Sequence, residues 1–356
     1  MTITLEEVQR VISKNLSKPE YSHVISISET QNEDSYSRTR NNATYMVDLA
    51  ASAESIHTHT CSITISFASE STPAYHPNSL QTFAQLIAMI QKQTSIPIAE
   101  PILDTSLSVI SHPYLLTPPQ PLQSSSIIPL SIARSQNLLT APQEAFIDLS
   151  LGQLLGQLHS GVQNDWFGRP STSQPDEPSY SWQQTFVELL EPLIEWAQET
   201  NVDLGVSYED LRRYLSRAIA FFLFDDVEVP SLVWFTGSED DIYITRPNDN
   251  SPSVQIAVIL PNLAHALWGD PLLETFFLPP APSEAVKEGY SGGGGEPLLV
   301  FARQKTKRLW YTVFLALVIL VEREGESQKD AVQNKRAWAL ETLKRCTDAL
   351  KDAPCY

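Results

Sequence analysis

Three groupings of side chains have types and spacings that could do chemistry. His57, His59 and Cys61 alternate in a strand-like stretch, which would put all three on one face, where a soft metal could meet them. A fourth ligand is not apparent, so a polar strand edge is the simpler reading. The acidic run Asp225-Asp226-Val227-Glu228 is followed at once by Val229-Pro230, which suits a linker turn better than a metal site. Arg303, Lys305, Lys307 and Arg308 gather cations in an acidic chain, with Lys287 upstream. They could meet an anionic group, or cap and solvate the start of a helix. His159 lies in a leucine-rich segment and reads as a hydrogen-bonded packing residue. No GxSxG, HExxH or GxxxxGK[ST] signature occurs, and Gly292 to Gly295 lacks the strand-to-helix context of a phosphate loop, leaving a flexible loop as its reading.

The elements that must position these groups change character along the chain. Val24 to Ile27, Thr44 to Leu49 and Ser62 to Ala68 are short and rich in β-branched residues, which predicts a small antiparallel sheet. Ahead of them, Leu5, Val8, Val11 and Ile12 have the spacing of an amphipathic helix. A helix is predicted over Leu80 to Gln93, then a Pro-rich hinge from Ile96 to Pro129 with a strand at Val109 to Leu116. Beyond it the chain turns helical: Ala145 to His159, Trp182 to Glu199, Tyr208 to Phe224, Arg303 to Glu322 and Asp330 to Leu350. Two strands, Ile242 to Thr245 and Val254 to Leu260, flank the turn-forming RPNDNSPS. The prediction is a β-rich lobe over 1–120 with one long helix and the hinge, and a helical lobe over 121–356 with an embedded β-hairpin.

Composition sets the limits. The chain has 356 residues, 42% of them hydrophobic and 19% charged, enough to bury a sizeable core. Lys plus Arg is 24 against Asp plus Glu 42, a net charge of −18, which repels phosphate backbones and argues against nucleic acid as a partner. Three cysteines, Cys61, Cys346 and Cys355, with no CxxC spacing, argue against a disulfide framework and for a reducing compartment. The N-terminus lacks the apolar core of a secretory signal. The run Trp310 to Val321 is shorter than the ~18 apolar residues a membrane span needs and reads as a buried helix. A cytoplasmic location is the expectation; oligomeric state is not legible.

Residue by residue, a family resemblance emerges. Leu151 to Ser160 (LGQLLGQLHS) followed by Asp165-Trp166-Phe167-Gly168 resembles the helix and FG turn of fungal aminoglycoside and choline phosphotransferase-like proteins. Ala266-Leu267-Trp268-Gly269-Asp270-Pro271-Leu272-Leu273 resembles the segment after that family's metal-binding aspartate, and Asn42 to Val47 the strand lining its nucleotide site. The likeness runs from about residue 20 to residue 322. It implies an α+β, two-lobed, protein-kinase-like fold. Against the family pattern, Ser66 stands where the third-strand lysine belongs, and Leu80 to Gln93 contains no acidic partner for it. The catalytic HGD aligns with Trp234-Phe235-Thr236, and a threonine cannot act as a base near neutral pH. Asp241 stands for the loop asparagine and Asn262 for the metal-binding aspartate, an exchanged pair that keeps one charge and two oxygen donors for Mg2+. Asp240 and Asp270 could add carboxylates; Glu239 and Asp240 could equally be a solvated turn.

A cleft that kept its metal and lost its base could hold a diphosphate and assist its departure rather than transfer phosphate. The expectation built on this is an atypical Mg2+-dependent cyclase of a prenyl diphosphate, with a weaker resemblance to the fungal humulene synthases. The acidic run at Asp225 is one residue short of the DDxxD box of ordinary class I cyclases. On that reading Asp241, Asn262, Asp240 and Asp270 hold metal, Lys287 and Tyr290 act at the diphosphate, and Trp234, Phe235, Thr236, Leu263, Trp268 and Arg303 bind substrate. The alternatives are an inactive pseudokinase-like binding protein, or a small-molecule phosphotransferase with relocated catalytic groups.

Overall fold

The structure is a computed structural model that describes residues 3–29, 35–52, 59–67, 75–119, 127–245, 254–324 and 330–355, the last segment with side chains from 334 onward. The expected strand end at Ala68, the turn RPNDNSPS and His57 lie outside the described residues.

Helix α1 (Leu5–Asn15) starts at Thr4, whose amide donates to the Glu7 carboxylate at 2.9 Å while the Glu7 amide donates to the Thr4 hydroxyl at 3.3 Å. This reciprocal cap satisfies donors that a helix start leaves open. The helix lays Val8, Val11 and Ile12 on an antiparallel sheet made by β1 (His23–Glu29), β2 (Asn42–Ala50), β3 (His59–Ser66), β4 (Ile102–Asp104) and β5 (Tyr114–Thr117), in the order β1-β2-β3-β5-β4. Strand alternation decides what each face carries. Tyr45, Val47, Leu49, Cys61, Ile63 and Ile65 join the α1 core, which leaves Thr44, Met46, Ser62 and Thr64 to the opposite side.

Between β3 and β4 runs α2 (Leu80–Gln93), its N-cap Ser79 accepting from the Thr82 amide at 3.1 Å. Its buried residues, Phe83, Leu86, Ile87 and Ile90, belong to the larger core of the helical lobe rather than to the α1 core. That lobe contains β6 (Ile127–Pro129), α3 (Leu130–Ser135), α4 (Ala141–Gly161), α5 (Trp182–Glu199), α6 (Tyr208–Ala220), β7 (Ser231–Val233), β8 (Ile242–Thr245), β9 (Ile256–Ile259), β10 (Leu267–Gly269), α7 (Glu284–Gly292), α8 (Ala302–Glu322) and α9 (Asp330–Asp352). Strands β6, β8 and β9 form one small sheet, and β7 pairs with β10 in another. The arrangement is the two-lobed α+β fold that the sequence predicts.

Several details differ from the sequence reading. The strand expected at Val109 starts at Tyr114, and α6 stops at Ala220, where Phe222 takes φ +52° and turns the chain. The glycine tetrad is not a free loop. Gly292 ends α7 and Gly293 lies against α4, where an added Cβ would sit 2.3 Å from the Gln153 carbonyl oxygen. Gly152, Gly156 and Gly289 serve the same contact, which lets two helix backbones approach more closely than side chains permit. The run from Trp310 to Val321 is buried on all sides within α8, as its lack of a polar face requires. Among the described residues no helix is long and apolar enough to cross a membrane.

Candidate ligand-binding cleft

A cavity of about 540 Å³ opens between the two lobes. Its roof is the polar side of the sheet: Asn42, Thr44 and Met46 from β2, and Ser62 and Thr64 from β3. Thr44 faces Thr64 in the strand register, and their hydroxyls are 3.0 Å apart. Ser66 pairs with Asn42 at the strand end, so Ser62 and Thr64 are the β3 residues that reach the cavity. Phe83 and Ile87 of α2, with Ile98, Leu115 and Ile259, supply an apolar wall. The floor is Asp240, Asp241 and Tyr243 at the entry to β8, together with Pro261 and Asn262. Arg38 and Arg40 close the front from the β1–β2 connection.

The carboxylates on the floor are only partly free for a ligand. Asp241 Oδ2 accepts from the Ser238 amide at 2.9 Å and the Ser238 hydroxyl at 3.2 Å. Burial pushes its carboxyl up to about 7, against those hydrogen bonds, which pull it down. Asp240 accepts from the Ser131 hydroxyl, and Glu239 pairs with Arg134, which also holds Glu144 and Asp148. Asn262 accepts from the Ala264 amide at 3.1 Å and donates to the Ser37 carbonyl at 3.2 Å. Among the described residues no group of three or more His, Cys, Asp or Glu side chains is placed to hold a metal ion. Asp241, Asn262 and Asp240 do share the cavity floor. Magnesium often takes one or two carboxylates and completes its shell with phosphate oxygens and water, so this set fits Mg2+ only in company with a bound phosphate chain.

Asp270 lies apart from the cavity lining. It is buried, receiving Lys307 Nζ and the Tyr311 hydroxyl, each at 2.7 Å, and the Leu272 amide at 2.9 Å. Arg303 bonds the Leu223 and Phe222 carbonyls and pairs with Asp226, so it braces the turn after α6. That turn contains the acidic run, whose Asp226 also receives Lys307. Lys287 sits on α7 with its ammonium on Glu284 at 2.8 Å. Tyr290 is buried, its hydroxyl 2.8 Å from His159 Nδ1, and burial pushes its phenol well above the ordinary range.

Trp234, Phe235, Thr236, Leu263 and Trp268 are all buried, and none lines the large cavity. Trp234 and Leu263 border a separate apolar void of about 20 Å³, too small for a prenyl chain. Phe235 takes φ +70°, a region that costs a bulky residue roughly 1–3 kcal/mol. Glu274 holds it there: its carboxylate accepts from the Trp234 amide at 2.7 Å and the Phe235 amide at 3.1 Å, and meets His159 Nε2 at 3.1 Å. Thr275 adds bonds to the Phe235 and Gly237 carbonyls. Thr236 is buried with its hydroxyl unpartnered. The loop is therefore braced from behind and presents no acid or base to the cavity.

The sequence reading missed Glu274, Ser62 and Thr64. Strict alternation of Ser62, Thr64 and Ser66 with Cys61, Ile63 and Ile65 marks the polar face of β3 and could have located the last two. Glu274 has no such local signal, because its partners come from the loop after β7 and from α4.

No family model matches the chain, and no curated protein matches it in sequence. Solved structures do match its shape. An aminoglycoside phosphotransferase candidate from Ralstonia eutropha superposes with a TM-score of 0.61 at 11% identity, covering 99% of this chain and 100% of that one. Spectinomycin phosphotransferase, solved with ADP and spectinomycin, gives 0.47 at 12% identity over 98% of each chain. A microcompartment-associated aminopropanol kinase gives 0.46 at 14%, covering 98% of this chain and 99% of that one. The first of these establishes the aminoglycoside-phosphotransferase-like fold and, at 11% identity, does not by itself establish an activity.

Proposed function

We propose that this chain binds a small molecule in the interlobe cleft of a phosphotransferase-like fold without passing phosphate through the loop that the fold places after β7. One observation carries the reading: Trp234, Phe235 and Thr236 are buried and absent from the cavity lining, while the cavity itself, at about 540 Å³, has the size of a small-molecule site. A threonine without solvent or partner cannot take a proton from an acceptor hydroxyl. The strand that would supply a phosphate-gripping lysine offers Ser62 and Thr64 instead. Neither the cleft nor the comparisons support the cyclase expectation. The aromatic residues it relied on pack in the core, and the large cavity has a hydroxyl-bearing roof where a carbocation needs an apolar, water-poor one.

A second reading, a divergent small-molecule phosphotransferase, is favoured by Asp241. It lines the cavity, and burial raises its carboxyl to about 7, where a general base works best. In that reading Mg2+ would arrive with the nucleotide, held by Asp240 and Asn262, which leaves Asp241 to act as the base. Thermal-shift titrations with adenosine, with ATP and Mg2+, and with inorganic diphosphate and Mg2+ test both readings, alongside transfer of labelled γ-phosphate to a panel of amine and alcohol acceptors. The binding reading expects a rise in Tm with at least one ligand, lost in the cavity-filling Thr64→Trp variant, and no labelled product. Labelled product that disappears in Asp241→Asn would replace it with the second reading.

A further inference from the structure

We propose that the ligand of this cleft is an uncharged, hydroxyl-rich ring compound, and that the cleft selects against phosphorylated forms of it. The inference rests on the binding reading above and adds the chemical class. Among the described residues, the charged side chains lining the cavity are Glu29, Asp240 and Asp241 against Arg38 and Arg40. Arg40 is engaged through the end of its guanidinium, while its Nε has no partner among the described residues. Its guanidinium donates to the Val321 carbonyl and to Glu324 at 3.0 Å, and its amide donates to Glu322 at 2.9 Å, so it ties the β1–β2 connection to the end of α8. Arg323 reinforces the tie by donating to the Ser35 carbonyl at 2.9 Å, and Asn262 does so through Ser37.

A polyanion entering here would meet Glu29, Asp240 and, as pH rises past about 7, an ionised Asp241, and to pair with the end of the Arg40 guanidinium it would have to draw it from partners that hold the two lobes together. Like charges lining one cavity cost affinity, and so does drawing a half-buried arginine from its partners. Nothing comparable opposes a neutral ligand. The roof offers amide and hydroxyl groups at Asn42, Thr44, Ser62 and Thr64, which suit sugar or polyol hydroxyls. Leu115, the register partner of Thr64, offers with Ile98 and Ile259 the apolar surface that a ring needs. Polar groups that need hydrogen bonds and an apolar strip within one cavity match a molecule with both kinds of surface.

The adenosine, AMP and ATP series varies charge while keeping ring and sugar constant, so calorimetric titration of the full chain with each, with and without Mg2+, reads the selectivity directly. The expected result is an affinity at least ~10-fold higher for adenosine than for ATP, a difference of about 1.4 kcal/mol. Thr64→Lys, which places an ammonium on the roof, should shift that ratio toward ATP by a further ~10-fold; Asp240→Asn should shift it the same way if the lysine variant does not fold. ATP binding the wild-type chain as tightly as adenosine would overturn the inference and leave the binding reading intact. Tight ATP binding with transfer to an acceptor would overturn both. Failure of all three compounds to bind would also overturn the inference.

Discussion

Two regions a few residues apart in sequence are built on opposite plans. Around the loop at Trp234 to Gly237, the backbone amides are met by a buried carboxylate, that carboxylate by a histidine, and the histidine by a tyrosine hydroxyl. The cleft beside it is lined by short hydroxyl side chains and by carboxyls whose oxygens are partly committed to neighbouring turns. The first region uses buried polar groups to hold a strained loop in place, and the second keeps a cavity of small-molecule size whose floor carries Asp240 and Asp241. The residues that hold such a fold and the residues that would do its chemistry are therefore separate sets, and one set can persist when the other is gone.

Breaking the bracing should have the largest effect. Glu274→Ala leaves two amides and a histidine without their acceptor in a fully buried site, and the expected loss is on the order of 3–5 kcal/mol in denaturant titrations. Gly289→Ala places a methyl group 2.0 Å from the Leu149 carbonyl oxygen, so α7 must move off α4. A loss of about 1–3 kcal/mol is expected, with a lower Tm.

The fold was legible in the sequence because it rests on periodicity. Helices α2 and α5 occupy the predicted ranges, and β8 does as well, since each has a clear apolar rhythm and a capping or turn signal at its ends. The candidate site was legible in part. Asp241, Asn262 and Asp240 do line one cavity, and their aligned positions were enough to bring them together on paper. Asp270, Arg303 and Tyr290 could not be placed that way, because their partners (Lys307, the Phe222 carbonyl and His159) are set by tertiary packing rather than by spacing, whereas Lys287 is taken up by Glu284 three residues before it on α7. The glycine tetrad shows the same limit: composition reads as looseness, and only the facing helix reveals a close backbone contact.

Sharpening the comparison on the cleft side calls for a pH series. The Asp241 carboxyl is raised to about 7 by burial, from 3.8 when unperturbed. Between those values the unfolded chain has lost a proton that the folded chain keeps, so this group makes stability fall as pH rises through that window and level off above about 7. The slope should not exceed about 1.4 kcal/mol per pH unit, and Asp241→Asn should remove it in urea titrations from pH 4 to 8. Unchanged slopes would mean that the carboxyl is not held as its surroundings imply. The smallest effect belongs to Lys287→Ala. Its exposed pair with Glu284 contributes at most a few tenths of a kcal/mol, so neither Tm nor ligand binding should move measurably.

The claim that the frame has outlived the transfer chemistry meets its most direct test in phosphorus NMR of Mg2+ and ATP mixed with a stoichiometric amount of the chain and an acceptor panel. A spectrum that stays superposable on the protein-free blank over several hours is the predicted outcome. Loss of the γ-phosphate signal at a rate that Thr64→Trp abolishes would contradict the account, since the cleft would then be an active site.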